Sequence, residues 1–296
     1  MRTIEIRKIL VPTDFSETAN IALDHAVNLA QMIKAEITLL HVLSSFSFRV
    51  NLPEVSELEE SHQTRISGVV DSKLTLLADS ILDNSGVRVN IMVSSGRIRD
   101  EVVRVADEID ADLIILGTHG VSGIKEFFMG SNAFRVVMEA SCPVLSVRTS
   151  AQKMGFHDIV IPIDNSFHSR EKLGVSVQLA KLYGSTLHVC GLRSHDHQDE
   201  DLNAKFRMKM KQVEDFLVEK EVNYTLQTVF CTNIAKAATD FATEKKADLI
   251  VIMNEQEMND TGFFMGAYAQ QIVNHSNIPV LSIRPTSGSI GNVVPY

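Results

Sequence analysis

The chain is written twice. Residues Asp112–Arg148 align without a gap on Asp248–Arg284, and fourteen of the thirty-seven positions are identical. Chance at average composition would give about two or three. Phe127-Phe128-Met129-Gly130 falls on Phe263-Phe264-Met265-Gly266, and Pro143-Val144-Leu145-Ser146 falls on Pro279-Val280-Leu281-Ser282. The beginnings of the copies match as well, Ile9-Leu10-Val11-Pro12-Thr13-Asp14 against Ile159-Val160-Ile161-Pro162-Ile163-Asp164. A chain of 296 residues has room for two domains of ordinary size. The repeat therefore predicts one domain over 1–148, a linker over 149–156, a second domain over 157–285 and a tail of turn-forming composition over 286–296.

Within the first copy, short apolar runs alternate with stretches of helical period. Lys8–Thr13 reads as a buried strand, and Ser16–Lys34 carries Ile21, Ala22, Ala26, Leu29, Ala30 and Ile33 at helical spacing, with a cap region at Ser16. Ile37–Leu43 reads as a second strand, and an amphipathic stretch runs from about Pro53 to Asp83, closed by Asn84-Ser85-Gly86. Val87–Val93 is a strand, Arg97–Ile109 a helix, Leu113–Gly117 a strand, Gly130–Ala140 a helix and Val144–Arg148 a strand. Strands that alternate with helices over short connections imply parallel pairing through right-handed crossovers. Leu113-Ile114-Ile115-Leu116 is apolar on both faces, as a central parallel strand is. Each copy is thus expected to be an α/β domain, a five-stranded parallel sheet with helices on both faces. The second copy is shorter mainly in its second helix, about Asp199–Lys220.

Composition excludes several classes. With 37 acidic against 28 basic residues, net charge −9, and no basic cluster, the chain lacks the lysine and arginine patch that a nucleic-acid backbone requires. No stretch approaches the ~18 apolar residues of a membrane span. Three widely spaced cysteines, Cys142, Cys190 and Cys231, form no metal or redox pair and read as buried thiols. Met1–Lys8 runs straight into a strand without a signal-peptide core, so a cytoplasmic location is expected.

Open parallel sheets bind ligands at the carboxyl ends of their strands. There the first copy gathers Asp14, Val42 and Gly117, followed by the glycine-rich stretch Gly117-Thr118-His119-Gly120-Val121-Ser122-Gly123 and a return through Gly130-Ser131 into a helix. Glycines let backbone N–H groups approach phosphate oxygens, and a helix N-terminus adds free donors and partial positive charge. Gly117, two residues, Gly120, nine residues and Gly130-Ser131 resemble the nucleotide signature of the ATP-binding universal stress proteins. Val11-Pro12-Thr13-Asp14, Leu39-Leu40-His41-Val42 and Ser141-Cys142-Pro143-Val144-Leu145 resemble the same family. The resemblance covers both copies, about residues 5–285. It implies a Rossmann-like fold of the adenine nucleotide α-hydrolase type, a stress-response setting, and pairing of domains through their last strands. Here that would make an intrachain pseudo-dimer of Val144–Arg148 and Val280–Arg284, with a further homodimer compatible.

For the site, the resemblance implies that Asp14 binds near the ribose or adenine and that Pro12 and Val42 line the base pocket. Gly117 and Gly120 would contact ribose and phosphates, and Gly130, Ser131 and Asn132 would hold the phosphate tail. ATP, ADP and AMP all satisfy these residues, with or without Mg2+. Read without the family, Asp14 is a helix cap and Pro12, Val42 and His41 are core. The second copy departs from the pattern, with Met253 for Gly117, Gln256 for Gly120 and Ala267 for Ser131. Glu255 and Glu257 would also repel a phosphate there. Three functions follow: a nucleotide-binding regulatory module with its site in the first copy, a slow ATP hydrolase or phosphotransferase, and a scaffold that binds no nucleotide. A single carboxylate, with no Walker-type loop, gives phosphoryl transfer little support.

Overall fold

A computed structural model describes residues 5–44, 53–118, 130–194, 200–254, 256–259, 262–265 and 267–285. The chain divides into two compact units, Glu5–Gly155 and one that begins at Phe156. In the first, the elements run β1 (Lys8–Pro12), α1 (Glu17–Ile33), β2 (Glu36–Ser44), α2 (Pro53–Ser85), β3 (Val89–Gly96), α3 (Ile98–Glu108), β4 (Leu113–Gly117), α4 (Ser131–Glu139) and β5 (Val144–Val147). The strands pair in parallel in the order β3-β2-β1-β4-β5. Ile9, Leu10 and Val11 are fully buried, so both faces of the central strand are covered, and the periodicity of the sequence is realised as a three-layer packing.

Local signals set the ends of these elements. The Ser16 hydroxyl accepts the Ala19 N–H at 3.2 Å and caps α1, whose last turn closes at Lys34 in the left-handed region. Gly86, at φ +70°, donates its N–H to Leu82 O at 2.9 Å and ends α2 at Ser85, two residues beyond Asp83 and within the Asn84-Ser85-Gly86 stop. Asp112, the first residue of the repeated segment, accepts the N–H groups of Arg7 and Lys8 at 2.8 and 2.9 Å. Its copy Asp248 does the same for His157 and Asp158 at 2.9 and 3.2 Å. The identity there has a physical cause: one carboxylate anchors the start of the first strand in each unit.

The second unit repeats the sheet as β6 (Asp158–Ile163), β7 (Thr186–Ser194), β8 (Asn223–Cys231), β9 (Leu249–Met253) and β12 (Val280–Ile283), in the order β12-β9-β6-β7-β8. Its helices are α5 (Leu173–Tyr183), α6 (Glu200–Glu219), α7 (Ile234–Glu244) and α8 (Ala267–His275). Two features were not foreseen. An antiparallel hairpin, β10 (Gln256–Asn259) with β11 (Gly262–Met265), follows β9. A 3-10 turn over Phe167–Arg170 takes the place of the first turn of α1, so that α5 starts only at Leu173, which aligns with Leu23.

The segment between the copies is packed rather than loose. Ala151 is buried and its carbonyl meets His25 Nε2 at 2.9 Å, while Phe156 is buried edge-on against Tyr183. The expected tail over 286–296 lies outside the described residues. Among the described residues no helix is long and apolar enough to cross a membrane.

Candidate functional site

At the carboxyl edge of the first sheet, β1, β2 and β4 end around a cavity of about 290 Å3. That is near the lower bound of the ~300–1,000 Å3 typical of small-molecule sites. Seven of the eight sequence candidates, Pro12, Asp14, Val42, Gly117, Gly130, Ser131 and Asn132, line it together. The eighth, Gly120, lies outside the described residues, as does His119.

Each wall has a local origin. The turn after β1 is built from side-chain-to-backbone bonds: Thr13 Oγ1 accepts the Phe15 N–H at 3.0 Å, and Asp14 Oδ1 accepts the Ser16 N–H at 3.0 Å. Asp14 thus helps lead the chain into α1, although the cap itself is Ser16. One carboxylate oxygen is engaged by the turn while the residue faces the cavity. From β2, Leu40 and Val42 supply apolar lining. Opposite, the N-terminus of α4 opens into the cavity. Its first intrahelical bond is Phe134 N–H to Gly130 O at 3.0 Å, so the N–H groups of Ser131, Asn132 and Ala133 have no partner within the helix. Those three residues line the cavity, and with the Ser131 hydroxyl they form an anion-accepting rim.

Gly117 and Gly130 have steric reasons to be glycine. A Cβ on Gly117 would come within 2.9 Å of the backbone of Thr18 in α1, and one on Gly130 within 3.1 Å of Thr118 O. Gly130 N–H also donates to Thr118 O at 2.8 Å, which ties the two ends of the glycine-rich stretch together.

The sequence places the third helix over Arg97–Ile109, but its part in the cavity wall was missed. Ile98 and Val102 of α3 line the cavity beside Leu116 and Val136, and their i, i+4 spacing, continued at Val105, was the available signal. His41, read as core, borders the cavity too. Its Nδ1 lies 2.8 Å from Thr13 O. A carbonyl only accepts, so Nδ1 carries the proton and a neutral ring keeps Nε2 as an acceptor.

The same edge of the second unit carries larger buried side chains. Met253, in the place of Gly117, is buried, and β9 contacts the 3-10 turn that replaces the start of the first helix. Lys172, aligned with Ala22, is also buried. Burial by itself would push the Asp164 carboxyl up. The charge of Lys172, the hydroxyls of Ser166 and Ser169 and the Ser166 N–H together outweigh it and hold the group below the usual carboxylate range. Lys209 Nζ donates to Asp164 O at 2.9 Å and to Ser166 O at 2.8 Å. Among the described residues no cluster of three or more metal-ligating side chains occurs.

The universal stress protein family model matches the chain twice, over residues 5–148 and 155–284. Universal stress protein MJ0577 of Methanocaldococcus jannaschii is 30% identical over 158 residues, covering 49% of this chain and 97% of that protein. Universal stress protein YxiE of Bacillus subtilis is 33% identical over 148 residues, covering 48% of this chain and 98% of that one. The solved structure of a universal stress protein from Archaeoglobus fulgidus matches with a TM-score of 0.72 at 16% identity, covering 95% of this chain and 97% of that chain. At that identity the last comparison speaks for the fold alone.

Proposed function

The chain belongs to the universal stress protein family, and on that premise we propose that its first unit binds an adenine nucleotide, ATP in the first instance, as a regulatory ligand. The observation that carries the reading is the shape of the cavity edge. A carboxylate and apolar side chains, Asp14, Pro12 and Val42, face the N-terminus of α4 with Ser131 and Asn132 across about 290 Å3. The first wall suits a base and ribose, and the second suits phosphates, which a helix N-terminus accepts through its free N–H groups. Gly120 would add its backbone to the same phosphates, as the family signature implies.

Turnover is expected to be slow or absent. Among the described lining residues Asp14 is the one carboxylate, and none is a lysine or arginine. Phosphoryl transfer depends on placed charge and metal, and a single carboxylate supplies little of either. Mg2+ bound to the phosphates of the ligand is compatible with this rim. The second unit, with Met253 and Lys172 buried at the same edge, is assigned no nucleotide of this kind.

The test is identification of nucleotide released by heat from freshly purified protein, with Asp14→Ala and Ser131→Ala as controls. A near-stoichiometric adenine nucleotide that is lost in the variants supports the assignment. Absence of nucleotide, with no binding when ATP or AMP is added back, would leave a scaffold that binds none. Steady release of ADP above the Ser131→Ala background would make the site an enzyme's.

A further inference from the structure

Phe15 follows Asp14 directly and sits at φ +61°, a left-handed conformation that bulky residues rarely adopt. Three contacts hold it there. Its N–H donates to Thr13 Oγ1 at 3.0 Å, its ring stacks on His41 with centroids 5.0 Å apart, and Lys73 Nζ lies 4.0 Å from its ring centroid. His41 in turn donates from Nδ1 to Thr13 O at 2.8 Å. The turn is therefore two-sided. Thr13 and Asp14 line the cavity, whereas Phe15 and Lys73 do not. Lys73 comes from α2, which contacts α1, β2 and β3, while the helical lining of the cavity comes from α1, α3 and α4.

The second unit supplies an independent observation. Buried Met210 of α6 corresponds to buried Leu74 of α2, and Phe206, Val213 and Leu217 correspond to Val70, Leu77 and Ile81 at the same spacing. This places Lys209 on Lys73. Lys209 also reaches the turn after the first strand, where its ammonium binds the Asp164 and Ser166 carbonyls at 2.9 and 2.8 Å. In both units the second helix sends a lysine to the turn that carries the aspartate.

We propose that Lys73 is a positioning residue for the nucleotide: acting from α2 through Phe15 and His41, it fixes the Thr13–Asp14–Phe15 turn and so the place of the Asp14 carboxylate in the cavity. The proposal rests on the reading of the cavity as a nucleotide site. A cation over an aromatic face is attractive, and that attraction offsets the backbone strain at Phe15. Lys73 touches no ligand, so its effect falls on the base end that Asp14 serves, not on the phosphates.

The experiment pairs calorimetric titration of the full chain by adenosine and by ATP with amide hydrogen exchange in the absence of ligand. Lys73→Met should weaken adenosine and ATP alike, by about fivefold for loss of a cation–π contact made by an exposed lysine, and Lys73→Arg should restore both. In the exchange experiment Lys73→Met should speed the Phe15 and Ser16 amides about tenfold while Leu10 and Val11 in β1 stay unchanged. Unchanged adenosine affinity with weaker ATP would make Lys73 a long-range phosphate attractor and overturn the proposal. So would unchanged exchange at Phe15 and Ser16. Should the wild-type chain bind neither ligand, the nucleotide reading falls, and the exchange result still decides whether Lys73 holds the turn.

Discussion

Gly117, the last residue of β4, packs so tightly on Thr18 of α1 that an added Cβ would lie 2.9 Å from the Thr18 carbonyl carbon. The close approach of the helix is by itself a reason for glycine at this position. In the second unit Met253 occupies the position, and the helix starts late, behind a 3-10 turn. Gly117→Ala should therefore destabilise the first unit by about 1–3 kcal/mol, the usual cost of overpacking. The check is the urea midpoint measured without nucleotide. A variant as stable as wild type would mean that α1 yields freely and that the contact explains nothing.

Ser131 and Asp14 should separate the two ends of the ligand. ATP at ~100 times its dissociation constant should stabilise the wild-type chain by about 2.7 kcal/mol. Ser131→Ala should weaken ATP about tenfold, as loss of a hydrogen bond to a charged group does, and leave adenosine unaffected. Asp14→Ala should weaken both. Titration of the two ligands against both variants checks this, and equal losses for adenosine and ATP in Ser131→Ala would contradict the placement of phosphates at α4.

Lys172 is buried and its charge acts on Asp164 at the corresponding edge of the second unit, so removing either should cost stability. Lys172→Met should destabilise by about 2 kcal/mol, below the range for a fully buried pair because Asp164 is only partly buried. Asp164→Asn in the Lys172→Met background should cost less than it does alone, which a double-mutant cycle in urea measures. The folded-state pKa of Asp164 is depressed. Its contribution is accordingly present above ~3.9, the unfolded value, and is lost as pH falls through the folded value.

His25 contributes through its neutral form, with the same sign of pH dependence. Burial lowers its pKa, opposed by the bond to Ala151 O and by Asp24. Between the depressed folded value and ~6.5 the unfolded chain binds the extra proton, so stability rises with pH across that window. It should be complete above ~6.5 and decline as pH falls below it. The difference in unfolding free energy between wild type and His25→Gln should therefore shrink on acidification below that value. A pH-independent difference would show that the ring titrates normally when folded.

The three thiols should differ in reactivity by burial. Cys142 and Cys190 are each pushed up to about 12, mainly by desolvation, and Cys190 is fully buried. Cys231 is raised by a milder desolvation. Labelling by a thiol-specific disulfide reagent at neutral pH should modify Cys231 first and Cys190 only on unfolding. Labelling of Cys190 at the rate of Cys231 in folded protein would contradict this burial order.

The duplication, the alternation of strand and helix, and the parallel sheet in each unit were all legible in the sequence. Each rests on local periodicity or on identities such as Asp112 and Asp248, and a chain with that pattern has few ways to bury it. The candidate residues Asp14, Val42, Gly117 and Ser131 were legible for a related reason, since strand ends in a parallel sheet converge on one edge. What only tertiary structure decided depends on contacts between elements distant in sequence. Ile98 and Val102 face the cavity because α3 packs beside α4, and Lys73 meets Phe15 because α2 crosses behind the first turn. Lys172 is buried within reach of the Asp164 charge in a unit whose first helix begins only at Leu173, behind a 3-10 turn. Periodicity along a chain reports which face of an element is buried; it carries no record of which partner does the burying.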